Sequence, residues 1–136
     1  VGIGLLGRWS DASATASTIE NICISNANIH SRCPIEICVA YGEAPLPHEC
    51  HIKNIMMDNL MLFPEKCNII KGFADAPLEN IILSNAIVQP GENADDELFE
   101  ISEAEGVVLD NVKIIGKDGS HASSRKKVIR TPILRG

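Results

Sequence analysis

The chain has 136 residues, enough for one domain with a real core and too few for two. Apolar residues make up 45% but aromatics only 4%, so the interior has to be built from Ile, Leu, Val and Ala, which argues against a compact sandwich or barrel filled by large rings. The net charge of −6 is uneven: residues 117–136 carry six Lys or Arg against one Asp (+5), leaving −11 on residues 1–116, and an acidic body argues against nucleic acid, whose phosphates need clustered Lys and Arg. The opening Val1-Gly2-Ile3-Gly4-Leu5-Leu6-Gly7 lacks the basic start and full apolar region of a signal peptide. No stretch reaches the length needed to span a membrane. Because the chain does not begin with Met, it reads as a fragment or a processed product.

Four segments then superpose along the chain. They are Ile19-Glu20-Asn21-Ile22-Cys23-Ile24-Ser25-Asn26-Ala27-Asn28-Ile29, Ile52-Lys53-Asn54-Ile55-Met56-Met57-Asp58-Asn59-Leu60-Met61-Leu62 and Leu78-Glu79-Asn80-Ile81-Ile82-Leu83-Ser84-Asn85-Ala86-Ile87-Val88. The fourth, Ala104-Glu105-Gly106-Val107-Val108-Leu109-Asp110-Asn111-Val112-Lys113-Ile114, keeps all but the first Asn. The second Asn recurs at steps of 33, 26 and 26 residues. Within each unit the apolar residues alternate with period two, so each predicts a strand with one buried face. The pair Ser-Asn or Asp-Asn then predicts a bend that breaks the strand, since Asn tolerates the left-handed region and its amide bonds neighbouring backbone. Stacked unit on unit, Asn26, Asn59, Asn85 and Asn111 predict a ladder of side-chain hydrogen bonds.

Between these units lies a second set of strands: Pro34–Val39, Cys67–Lys71 and Glu97–Ile101. Residues 72–77 and 90–96, rich in Gly, Pro and Asp, are the turns. No segment sustains a 3.6-residue period, so a helical solenoid is excluded. The predicted fold is all-β, a right-handed parallel β-helix of about four coils, over residues 1–116, with a solvated basic tail over 117–136 that includes Arg125-Lys126-Lys127.

The chemistry-bearing residues are few. Five cysteines, at 23, 33, 38, 50 and 67, show no metal-ligand spacing and are read as small apolar side chains in or near the core, with one or two disulfides left open if the chain is exported. His30, His48, His51 and His121 form no metal motif, and no phosphate loop or nucleophile elbow is present, so no metal or cofactor is predicted. Asp95-Asp96-Glu97 is read as a solvated acidic loop. Glu36, Lys71 and Glu100 fall in the second strand set, where a cleft-lining sheet would turn them toward substrate. Trp9 and Tyr41 offer apolar ring faces on which sugars stack.

In the order of its elements the chain resembles the C-terminal half of glycoside hydrolase family 28, the polygalacturonases and their relatives. The opening is similar to the family's G-H-G-linked strand, and Glu105-Gly106-Val107-Val108-Leu109-Asp110-Asn111-Val112-Lys113-Ile114 resembles its closing E-G-I-V-L-E-D-I-K-L strand. Lys71–Ile81 is similar to bacterial members. The resemblance spans residues 1–116 and implies inverting hydrolysis of pectic polysaccharide, polygalacturonan or rhamnogalacturonan, by two carboxyl groups about 6.5–9.5 Å apart. It implies that the N-T-D and D-D carboxylates precede Val1, so no catalytic residue is expected here, and that the compartment is extracellular or periplasmic.

The family's R-I-K strand, whose cations hold the substrate carboxylate, aligns with Glu36-Ile37-Cys38, where both cations are missing. A second alignment places Tyr41 at a substrate-side tyrosine and R-I-K near Arg8. The substrate-contact candidates are therefore Glu36, Tyr41, Lys71 and Glu100. A non-catalytic β-helix module binding polysaccharide or protein is the alternative, and a lyase of the same fold would want Ca²⁺-binding carboxylates that are not evident. An open strand edge with a bare aliphatic core further predicts end-to-end self-association.

Overall fold

The computed structural model describes residues 2–7, 17–39, 50–73, 76–116 and 121–122. These form β1 (Ile3–Gly7), β2 (Ser17–Ser31), β3 (Ile35–Val39), β4 (Cys50–Pro64), β5 (Asn68–Lys71), β6 (Leu78–Val88), β7 (Phe99–Ser102), β8 (Ala104–Glu105), β9 (Val108–Ile115) and β10 (His121–Ala122). No helix occurs among the described residues. Sheet A runs β1-β3-β5-β7 and sheet B runs β2-β4-β6-β9-β10, with β8 also on β6. Pairing is parallel throughout except between β9 and β10. Parallel neighbours need a long crossover. Here a strand of the opposite sheet supplies it: the chain passes from β1 to β2, back to β3 beside β1, then to β4 beside β2.

The register follows the repeat read from the sequence. Ile24 pairs with Met57, Met57 with Leu83 and Leu83 with Leu109, the same 33-, 26- and 26-residue steps that separate the asparagines. Inward positions thereby stack as like on like. One file is Ile22, Ile55 and Ile81, and another is Ile29, Leu62, Val88 and Ile114. Ile55, Met57, Leu60, Leu62, Ile81 and Leu83 are fully buried, each stabilising the fold by about 1.5–3 kcal/mol relative to an exposed position. In sheet A the inward files are Ile3, Ile35, Asn68, Phe99 and Leu5, Ile37, Ile70, Ile101. Asn68 is fully buried and acts as a bracket between levels. Its Oδ1 accepts from Ile35 N at 3.1 Å, and its Nδ2 donates to Leu98 O at 3.1 Å.

The asparagines bend the strands without ending them. Asn21, Asn26, Asn54, Asn59, Asn80, Asn85 and Asn111 all have φ between 51° and 60°, and Gly106 takes the vacant first-Asn position with φ 66°. Pairing skips each Asn and resumes beyond it, so β2 and β4 each run 15 residues. Two amide files result where the sequence reading drew out one. Asn54 donates to Asn21 at 3.1 Å and Asn80 to Asn54 at 3.0 Å. In the anticipated file Asn59 donates to Asn26 at 2.7 Å and Asn111 to Asn85 at 2.8 Å. Between them, however, Asn85 turns to the Asp58 carboxylate at 2.9 Å. An ionised acceptor is the stronger partner.

The crossover from β5 to β6 is tight. Gly72 N donates to Ser102 O at 2.9 Å, and a Cβ on Gly72 would fall onto the Glu103 carbonyl oxygen and lie 2.8 Å from Leu78 N. At the other end of the stack, Ile19, Ile22, Ile24, Ala27 and Ile29 of β2 are only partly buried. Among the described residues β2 is paired on one side alone. Within residues 117–136, His121 and Ala122 pair with Ile115 and Ile114. The cysteines divide: Cys38, Cys50 and Cys67 are buried and Cys33 partly so, but Cys23 is exposed on the outer face of sheet B, contrary to the core reading.

Candidate functional site

Alternation along β3, β5 and β7 sets two outward rows on sheet A. One is Glu36, Ile69 and Glu100; the other is Cys38, Lys71 and Ser102. Three of the four residues proposed from sequence, Glu36, Lys71 and Glu100, therefore share one face. Tyr41 lies outside the described residues, as do Trp9, His48 and Arg8. Lys71 is exposed and Glu100 partly buried, whereas Glu36 is 9% exposed and so is not the open surface residue that alternation suggests. Cys38 beside them is also buried, and burial pushes its thiol pKa up; Lys71 opposes that rise while Glu36 and Glu100 add to it.

Toward the start of these strands the face deepens. A cavity of about 660 Å³ is lined by Arg32, Cys33, Glu36, Lys66, Cys67, Ile69 and Asp95. It shares Arg32 and Lys66 with a neighbouring cavity of about 620 Å³, whose far wall is Gly91–Ala94. The turns that follow β2 and β4 build these walls. Glu65 N donates to Ser31 O at 3.0 Å and Lys66 N to Arg32 O at 2.9 Å, so the two turns stack as the strands do. Lys66 Nζ donates to Asn93 O at 3.2 Å, and Asp95 N donates to Lys66 O at 3.3 Å, which draws the turn after β6 over the cavity. Asp95 is thereby partly buried, and its carboxylate accepts the Cys67 thiol. Burial first, then that hydrogen bond and the carboxylate's charge, push the Cys67 pKa to about 11.

This corrects the reading of Asp95-Asp96-Glu97 as a wholly solvated loop, because Asp95 is a wall residue. Arg32 and Lys66 were absent from the residues proposed on sequence. Their signal was a basic residue followed by Cys after each of the first two repeat units, Arg32-Cys33 and Lys66-Cys67. Among the described residues no three His, Cys, Asp or Glu are placed to hold a metal ion. The cavity brings Arg32 and Lys66 together with Glu36 and Asp95, and Lys71 and Glu100 stand further along the same face of sheet A. Such groups can form ion pairs and charge-assisted hydrogen bonds with charged groups of either sign. No protein family, no curated protein and no solved structure matches the chain.

Proposed function

We propose that the two sheets are faces of a right-handed parallel β-helix of about four coils, and that the chain is the C-terminal part of a glycoside hydrolase acting on pectic polysaccharide. Right-handed winding is supported by the general rule that crossovers between parallel strands of one sheet are right-handed in about 98% of cases. The observation that carries the functional reading is the shared face of sheet A. There Arg32 and Lys66, from the turns before β3 and β5, line a cavity with Glu36, and Lys71 and Glu100 stand further along the same face of sheet A, whose strand order resembles the polygalacturonase family. The three cations would take the place of those missing from Glu36-Ile37-Cys38. The catalytic carboxylates belong to residues outside this chain. A reducing-sugar assay on polygalacturonan and rhamnogalacturonan tests that point: no turnover is expected from the isolated chain, and robust turnover would contradict it.

Among the described residues β2 has a partner strand on one side only, which supports end-to-end self-association, in which the partly buried Ile19, Ile22 and Ile24 meet a second copy. Light scattering should give a mass above the monomer, and a stable monomer at about tens of micromolar would refute it. One observation favours the alternative, a non-catalytic module that binds protein or polysaccharide. Met56 and Met61 are 50% and 38% exposed on the outer face of sheet B, and with Ile82 and Val108 Met56 forms an apolar row of a kind that partner proteins cover.

A further inference from the structure

The five cysteines do not have equivalent surroundings. Cys23 projects from the outer face of sheet B, Cys38 stands on sheet A beside Lys71, and Cys50 lies in the core within 3.6 Å of Ser17 Oγ. Cys33 and Cys67 line one cavity. The turn hydrogen bonds continue the β2–β4 register of Ser31 with Pro64, which sets Cys33 level with Lys66 and Cys67 one residue further along the next level. Adjacent strands lie about 4.8 Å apart and residues rise about 3.3 Å, so the diagonal places the two Cα atoms about 6 Å apart. Disulfides span Cα distances of roughly 4.4–6.8 Å.

We propose that Cys33 and Cys67 form an intramolecular disulfide that clasps the first level of the stack to the second. Its position fits a need of the fold, since β2 has a partner strand on one side only among the described residues and its inner residues are partly exposed. The loop it closes contains one whole circuit through both sheets, and cross-linking a loop of this length removes a large share of unfolded-chain entropy. With a glutathione disulfide as oxidant, the part-exposed Cys33 thiolate attacks one sulfur and releases one reduced glutathione, leaving a mixed disulfide. Cys67, once it has lost its proton to hydroxide from solvent, attacks the Cys33 sulfur, releasing the second glutathione as a thiolate that takes up a proton. Two protein thiols are oxidised and one glutathione disulfide is reduced. The groups around this step are Arg32, Glu36, Lys66, Asp95 and Glu100.

The test treats the full chain with oxidised glutathione, blocks remaining thiols, and maps the cross-linked peptides by mass spectrometry. A Cys33–Cys67 link within one chain is expected, with loss of two hydrogens. The thermal midpoint should rise by on the order of 10 °C over the reduced protein. Cys33→Ser and Cys67→Ser should each abolish the link and the rise, and Cys38→Ser should leave both intact. Mapping of the unsubstituted chain decides the matter even if a variant misfolds. Recovery of Cys33 and Cys67 as separately blocked thiols, or their linkage to other cysteines or other chains, would overturn the proposal.

Discussion

Asn59 isolates what the repeating asparagines contribute. It sits at φ 55° on an exposed bend, and its Nδ2 donates to Asn26 Oδ1 at 2.7 Å. Asn59→Ala removes the amide and forces a Cβ without local compensation into the left-handed region, which costs about 1–2 kcal/mol. The lost hydrogen bond adds about 0.5–1 kcal/mol at an exposed site. Asn59→Gly loses the same hydrogen bond but relieves the φ cost, partly offset by the freedom that Gly has in the unfolded chain. Alanine should therefore cost about 1.5–3 kcal/mol, and glycine should be clearly the milder change. Urea unfolding followed by circular dichroism measures both. The reasoning fails if alanine is tolerated as well as glycine, because the bend would then not depend on the left-handed conformation.

Other outcomes follow from the same geometry. Asn68→Leu leaves the buried Ile35 N–H without its acceptor, although Leu98 O keeps its bond from Asn68 N at 2.8 Å; a loss of about 1–3 kcal/mol is expected in denaturant unfolding. Gly72→Ala drives a methyl into the backbone of Glu103 and Leu78, and should cost at least about 1–3 kcal/mol in the same assay, since backbone yields less readily than a side chain. Hydrogen bonds from Asn85 and Ser84 hold the Asp58 pKa below the ordinary aspartate value. A depressed carboxyl contributes stability that is present above its unfolded pKa of about 3.9 and lost as pH falls through the folded value. Asp58→Asn should therefore be less stable than the unsubstituted chain at neutral pH, with the gap closing below about pH 3.9.

The strands and their register were legible because stacking like on like writes itself into the sequence as a period. The Asn at 26, 59, 85 and 111 marked it, and Gly106 occupies the one first-Asn position that lacks an amide. What the period could not convey is how turns fold over neighbouring levels. Alternation along β3 turned Glu36 outward, and its burial comes from packing that no local pattern encodes. Asp95 read as one of three solvated acids until Lys66 O drew its backbone over the cavity. Arg32 and Lys66 stand in irregular turns, where residue type alone does not tell a wall from a solvated loop. The diversion of Asn85 to Asp58 likewise depends on a single Asp where the first and third units have Ser.

The proposed function requires that sheet A bind an acidic sugar polymer. Backbone amide shift mapping with a short oligogalacturonate tests this most directly. The account predicts saturable shifts at Arg32, Glu36, Lys66 and Lys71, reduced in Lys66→Glu and absent with the fully methyl-esterified oligomer. Shifts confined to the Cys23, Met56 and Ile82 row of sheet B, or none at all, would contradict it.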